Sequence, residues 1–237
     1  MPCPAEMRLL VAWAACLVWC LCWGAQVQVP VRVSLRHNWH NYSDSAAHAA
    51  PLLEMMEAAG QVWPHAFFSL VSRIWSHPSA GGELKDMSYE RLYHHMEGVL
   101  RSLAVDVHDA YPESHLEEWR TLVAQHAQAA KVESYYQMFE AGSNLRSLYV
   151  PCDTFVHVNG HAYCSLPAAR QAIQALNTSS PLLARDHVHP SHTAPGPSLV
   201  LYADPYSTSI NEFHDMLHAL SSTSLVQDVF RWRASVS

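Results

Sequence analysis

The sequence predicts an α/β fold in which a small sheet domain is interrupted by an all-helical insertion near residues 64–148. Three observations predict it. Segments with the two-residue alternation of strands stand near both ends of the chain, amphipathic helical stretches fill the middle, and the closing order is strand, helix, strand. The chain has 237 residues, 49% hydrophobic and 15% charged, enough for one sizeable core or one core with an insertion. Its formal charge is −7 with the 17 histidines neutral, and no basic run occurs. That pattern excludes the electrostatic footprint of a nucleic-acid or anionic-membrane binder.

The elements follow in order. Arg8 precedes an unbroken apolar run over residues 9–22, closed by the small Gly24 and Ala25. This is the layout of a secretory signal peptide, expected to span residues 1–25 and to leave a mature domain over 26–237. No second long apolar run follows, so the product is expected to be luminal, without a membrane anchor after cleavage. Val31, Val33 and Leu35 alternate with Arg32, Ser34 and Arg36 as an opening strand. "PLLEMMEAAG" reads as a helix with proline at its start and Gly60 as its stop, and "SHPSAGGELKD" as a flexible loop. A helix capped by Ser88 carries Leu92, Met96, Val99, Leu100 and Leu103 on one face. The next, with a capping box at Ser114 and Glu117, carries Leu116, Trp119, Leu122 and Val123. A third carries Val132, Tyr135 and Phe139 and stops at Gly142.

After Val150 strands return. "TFVHV" and "HAYCS" flank Asn159-Gly160, a short helix carries Pro167 in its first turn, and a loop rich in proline and histidine follows. "SLVLYAD" is a buried-type strand; a second capping box, Ser209 and Glu212, opens a helix, and "QDVFRWRASV" is the last strand. This tail suggests a thioredoxin-like sheet.

Cleavage of the signal would remove four of the six cysteines, leaving Cys152 and Cys164. In "CDTFVHVNGHAYC" these two and His157 and His161 could supply four zinc ligands. The Asn-Gly turn argues otherwise, because it pairs Val158 with His161, His157 with Ala162 and Val156 with Tyr163, and puts the two histidines on opposite faces. An even pair of cysteines in an oxidising compartment points to a disulfide, whose small loop would contribute roughly 3 kcal/mol. No C-x-x-C stands at a helix start, where a reactive dithiol belongs, so the fold reads as redox-inactive. "HDMLH" puts His214 and His218 on one helical face, but Asp215 replaces the glutamate of the zinc-protease pattern, and a solvated face is expected. "HVHPSH", residues 187–192, reads as a loop without the rigid shell a metal needs. No catalytic residue and no metal ligand is assigned. Asn41 and Asn177 lie in N-glycosylation triplets.

Five segments, taken in order, resemble one family. They are the opening strand ending at Trp39, "PLLEMMEAAGQVWPHAFFSLV", "MSYERLYHHMEGVL", "CDTFVHVNGHAYC" and "SLVLYADPYSTSINEFHDMLHAL" with "VFRWRASV". Together they are similar to the N-terminal region of UDP-glucose:glycoprotein glucosyltransferases. The resemblance implies a redox-inactive thioredoxin-like domain with an inserted helical subdomain. It also implies a Cys152–Cys164 disulfide, residence in the endoplasmic reticulum lumen, and a part in recognising misfolded glycoproteins. The family's catalytic domain, with its UDP-glucose and divalent metal, has no counterpart in these residues. The expectation is therefore a non-catalytic piece, truncated product or orphan domain, without a cofactor of its own, whose partners are misfolded glycoproteins and the enzyme's remaining domains. Trp63, Phe67, Phe68, Trp75 and Trp119 are the candidate client-binding residues, and alanine at Phe67 and Phe68 is expected to weaken binding while sparing stability. A secreted thiol oxidoreductase and a metal-binding protein are the alternatives.

Overall fold

The computed structural model describes residues 49–140, 150, 152–176, 179–190, 197–223 and 226–233, with the side chains of 137–140 excepted. The signal peptide, the opening strand over 31–35, Gly142 and both glycosylation triplets lie outside the described residues. All described residues fall within the compact unit Ser34–Ser237.

Helices come first. α1, Ala49–Val62, has every residue through Ala59 buried, so it is a core helix with neighbours on all sides. A 3₁₀ turn, Pro64–Ala66, leads into α2, Phe67–Ile74; α3 is Ala80–Lys85, α4 Tyr89–Asp106, α5 Pro112–Ala124 and α6 Ala129–Glu140. α4, α5 and α6 pack around α1. Among the described residues the helices begin at Ala49, α1 lying over the segment that the sequence reads as a helix ahead of residue 64. Gly60 does not stop α1: a Cβ there would meet Phe67 Cδ2 at 3.0 Å and His187 Cε1 at 3.1 Å, so the glycine serves close packing.

Other local readings are corrected by the same packing. The loop expected over "SHPSAGGELKD" contains α3, whose Ala80, Gly81 and Leu84 are buried. α5 starts two residues ahead of its expected cap, with Pro112 in the first turn, so Ser114 lies inside the helix. Ser88 does cap α4, accepting the Arg91 N–H at 3.3 Å. Leu92, Met96, Leu100, Leu103, Leu116, Trp119 and Val123 face the core as their spacing predicts. Among the described residues no helix is long and apolar enough to cross a membrane.

The sheet follows. β1 is Thr154–Val158, β2 His161–Tyr163, α7 Leu166–Gln174, β3 His187–Val188, β4 Ser198–Ala203, α8 Ile210–Ser222 and β5 Gln227–Trp232. The strand order is β2-β1-β4-β5-β3, parallel only between β4 and β5, the two strands that α8 connects. β1 and β2 pair in the register the Asn-Gly turn predicts, with Asn159 at φ 48° and Gly160 at φ 84°. The fold is thus the expected α/β arrangement.

β4 is buried along its whole length and separates two cores. Leu199, Leu201 and Ala203 join Val156, Val158, Phe230 and Trp232 against the helices. Val200 and Tyr202 join Phe155 and Val229 on the other face. There Arg231 holds the segment leading to β3: Nε and Nη2 each reach a carboxylate oxygen of Asp186 at 2.6 Å, and Nη2 donates to the Pro181 carbonyl at 3.2 Å. A bidentate pair of this kind satisfies a buried guanidinium that burial alone would push toward neutrality.

Candidate functional site

Three places in this architecture could carry function: the loop at the head of α8, the disulfide at the sheet edge, and a groove between α7 and α8. In an α/β sheet of this kind the loop between a strand and the following helix start is where a reactive dithiol would sit. Residues 204–209, between β4 and α8, read Asp-Pro-Tyr-Ser-Thr-Ser and contain no cysteine. Asp204 orders the loop, its Oδ1 accepting the Tyr206 N–H at 2.9 Å and its carbonyl the Ser207 N–H at 3.0 Å. Ser209 occupies the position before α8, yet its side chain makes no cap bond, unlike the expected capping box.

The helical block covers this loop. Trp75 Nε1 donates to the Pro205 carbonyl at 3.0 Å, and α3 lies so close that a Cβ on Gly81 would stand 2.6 Å from the Tyr206 carbonyl oxygen. Gly81→Ala must push backbone from backbone and is expected to destabilise by about 1–3 kcal/mol. Gly82→Ala, in the same helix with nothing within 4 Å of its Cβ, is the matched control, expected to be neutral or slightly stabilising. Equal denaturant midpoints for the two variants would show that α3 does not rest on this loop.

Cys152 and Cys164 are joined in a disulfide with Cα atoms 5.8 Å apart. It closes the β1–β2 hairpin, tying Cys152, two residues ahead of β1, to Cys164, the residue after β2. Cys164 is exposed and Cys152 half-buried, with the Arg233 guanidinium donating to the Cys152 carbonyl. His157 is half-buried beside Tyr202, while His161 is exposed, so the two do not converge. Burial lowers the His157 pKa, and Arg231 adds to the effect. Among the described residues no three His, Cys, Asp or Glu side chains are grouped to hold a metal ion.

The groove between α7 and α8 is an open, largely apolar cavity of about 510 Å³. Ile173 and Leu176 form one wall, Met216, Leu220 and Val226 the other, with Arg170 among the polar groups lining it. It lies where the two amphipathic helices pack beside each other on β1.

Comparison with known proteins adds the decisive observation: the model of a thioredoxin-like domain family matches residues 49–237. The chain belongs to the thioredoxin-like domain family. No curated protein matches it.

The expected client-binding residues of this thioredoxin-like domain require correction. Trp63 is 7% exposed, Phe67 1%, Phe68 4%, Trp75 1% and Trp119 0%. Each is fixed by the core. Trp63 Nε1 donates to Asp109 at 2.8 Å, Trp119 Nε1 to the Met55 carbonyl at 3.1 Å, and Trp75 leans on Trp232 with ring centres 5.5 Å apart. They are structural anchors and present no surface to a client.

Polar groups buried in the domain were not legible from the sequence. His187 belongs to no loose loop: it stacks on Phe67 with ring centres 3.5 Å apart, and its Nε2 lies 2.9 and 3.1 Å from the two carboxylate oxygens of Glu57. Glu57 is also paired with Lys131. Burial would raise the Glu57 pKa, but His187 and Lys131 outweigh it and hold the carboxylate below its ordinary range. His214 likewise departs from the expected solvated face, being buried, while His218 is exposed. The one available signal was α1 itself. A helix apolar all round leaves Glu54 and Glu57 no solvent face, so both need partners.

Proposed function

We propose that this thioredoxin-like domain is a client-sensing module of a UDP-glucose:glycoprotein glucosyltransferase, contributing to recognition of misfolded glycoproteins in the endoplasmic reticulum lumen. The observation that supports this reading most is the apolar groove between α7 and α8, which offers unfilled hydrophobic surface of a size suited to an apolar side chain or two of a non-native chain. The ordered resemblance of the chain's segments to the N-terminal region of these enzymes also supports the reading. On this reading UDP-glucose and the divalent metal belong to the catalytic domain, and no residue here is assigned to them.

The reading is tested on the two half-buried leucines that face each other across the groove. Leu176→Ser with Leu220→Ser should weaken binding of a denatured, glycosylated reporter protein by about tenfold, as expected for losing two apolar anchors. Both side chains are half-buried against the core, so a moderate loss of stability is expected and binding is compared at a temperature where the variant remains folded. Undiminished reporter binding by the well-folded variant would refute the groove as the client surface.

A further inference from the structure

One face of each of two helices builds the groove between α7 and α8. Arg170 and Ile173 stand one turn apart on α7, with Leu176 just past its end. Met216 and Leu220 stand one turn apart on α8. Ile173, Met216 and Val226 are buried, whereas Leu176 and Leu220 are half-buried and keep apolar surface free.

Arg170 differs from the rest of this lining. It is exposed, and its guanidinium has no hydrogen-bond or ion-pair partner among the described residues. Elsewhere Arg73, Arg101, Arg120 and Arg231 each hold a carboxylate. No acidic side chain lines the groove, and the exposed Glu212 and Asp215 of α8 make no ion pair with Arg170. Apolar surface is therefore joined to an uncompensated positive charge, on a chain whose formal charge is −7. At physiological salt, charges are screened over about 8 Å. An occupant of the groove is thus governed by the charge beside it rather than by the net charge of the chain.

We propose that the groove selects polypeptide segments in which apolar side chains stand close to a carboxylate, with Arg170 setting that preference. The inference rests on the reading of the groove as a client surface. Apolar side chains of the segment lie between Leu176 and Leu220, and its aspartate or glutamate pairs with Arg170, whose planar fork of N–H groups suits a carboxylate. The helix sets the spacing. Arg170 and Leu176 are six residues apart, about 9 Å along a helix axis, which an extended chain covers in about three residues. The favoured segment therefore carries its acid within about three positions of the apolar residue. A lysine at that place would meet like charge and be disfavoured. The open side of the groove suits a chain that keeps its backbone in water. A free fatty acid has the same apolar-plus-carboxylate chemistry, but it would leave much of its chain exposed there.

Fluorescence anisotropy on the full chain with three labelled peptides tests the preference. Each peptide carries the same leucine pair, flanked on both sides within about three residues by glutamate, glutamine or lysine. The native chain should bind the glutamate peptide about fivefold more tightly than the lysine peptide, with the glutamine peptide between them, and added salt should narrow the gap. Arg170→Glu should invert the order, and Arg170→Gln should level it. Because Arg170 is exposed and unpartnered among the described residues, both variants should fold as the native chain does. Leu176→Ser with Leu220→Ser should weaken all three peptides alike. Equal native affinities for the three peptides, or an order that Arg170→Glu leaves unchanged, overturns the selectivity; the leucine variant then decides separately whether the groove is the client surface. Failure of every peptide to bind overturns both. Saturable binding of a medium-chain fatty acid that displaces the glutamate peptide and exceeds its affinity overturns the assignment of the groove to a polypeptide.

Discussion

Glu57→Ala is expected to cost the fold about 3–5 kcal/mol, a large part of the about 5–15 kcal/mol that holds a domain of this size together. The carboxylate is fully buried and gathers three groups from two elements: Lys131 and the Tyr135 hydroxyl, 3.1 Å away, from α6, and His187 from β3. That hydroxyl is also 3.1 Å from the Arg185 carbonyl, and its single proton can serve only one acceptor at a time. Removing the carboxylate leaves a half-buried ammonium and a largely buried imidazole without their anion, so the loss exceeds that of any single hydrogen bond. Glu57→Gln keeps the volume and an acceptor oxygen and should fall between native and alanine. The pH dependence has a definite sign. A carboxyl whose folded pKa is lowered contributes stability above its unfolded pKa, and this is lost as pH falls through the folded value. Glu57→Ala should therefore flatten the acid limb of the stability curve as well as lower its plateau. A urea midpoint within about 1 kcal/mol of native would contradict the buried-cluster account.

What the sequence made legible was what short-range chemistry decides. The β1–β2 register follows from Asn159-Gly160 and the alternation on either side, all within one hairpin. The faces of α4 and α5 follow from 3.6-residue spacing. What it hid was decided by neighbours distant along the chain. α3 has only six residues and is stabilised by the approach of Gly81 to the Tyr206 carbonyl, a contact no local pattern encodes. Gly60 looks like a helix stop by itself and becomes a packing contact only when Phe67 and His187 are in place. The same holds for the candidate site. An aromatic residue in an amphipathic helix has the same local signature whether it faces a core or a client, and Phe67, Trp75 and Trp119 face the core. His187 and His214 stood in segments that looked solvated, and their burial depends on α1 and α2 packing over the sheet.

Phe67→Ala should destabilise by about 3–5 kcal/mol, the opposite of what a surface client-binding residue would show. The ring is the hub between the helical block and the sheet. It stacks flat on His187 and meets Phe68, Phe230 and Trp232 edge-on, at 5.7, 5.7 and 6.4 Å between centres. A cavity there opens between two layers, where neither α1 nor β5 can collapse without breaking its own pairing. The stacked imidazole also makes this loss interdependent with that of Glu57. His187 is fixed from one side by the Phe67 ring and from the other by the carboxylate, so removing either partner loosens the group that the other contacts. The double variant Glu57→Ala with Phe67→Ala should then cost less than the sum of the singles, by about 0.5–3 kcal/mol. Because the double variant approaches the limit of the domain's stability, the cycle is best read from urea midpoints at low temperature, or with the milder Phe67→Leu in place of alanine. Strict additivity would mean that His187 keeps its place without either neighbour. The sheet and the helical block would then be joined elsewhere, through contacts such as Trp75 on Trp232.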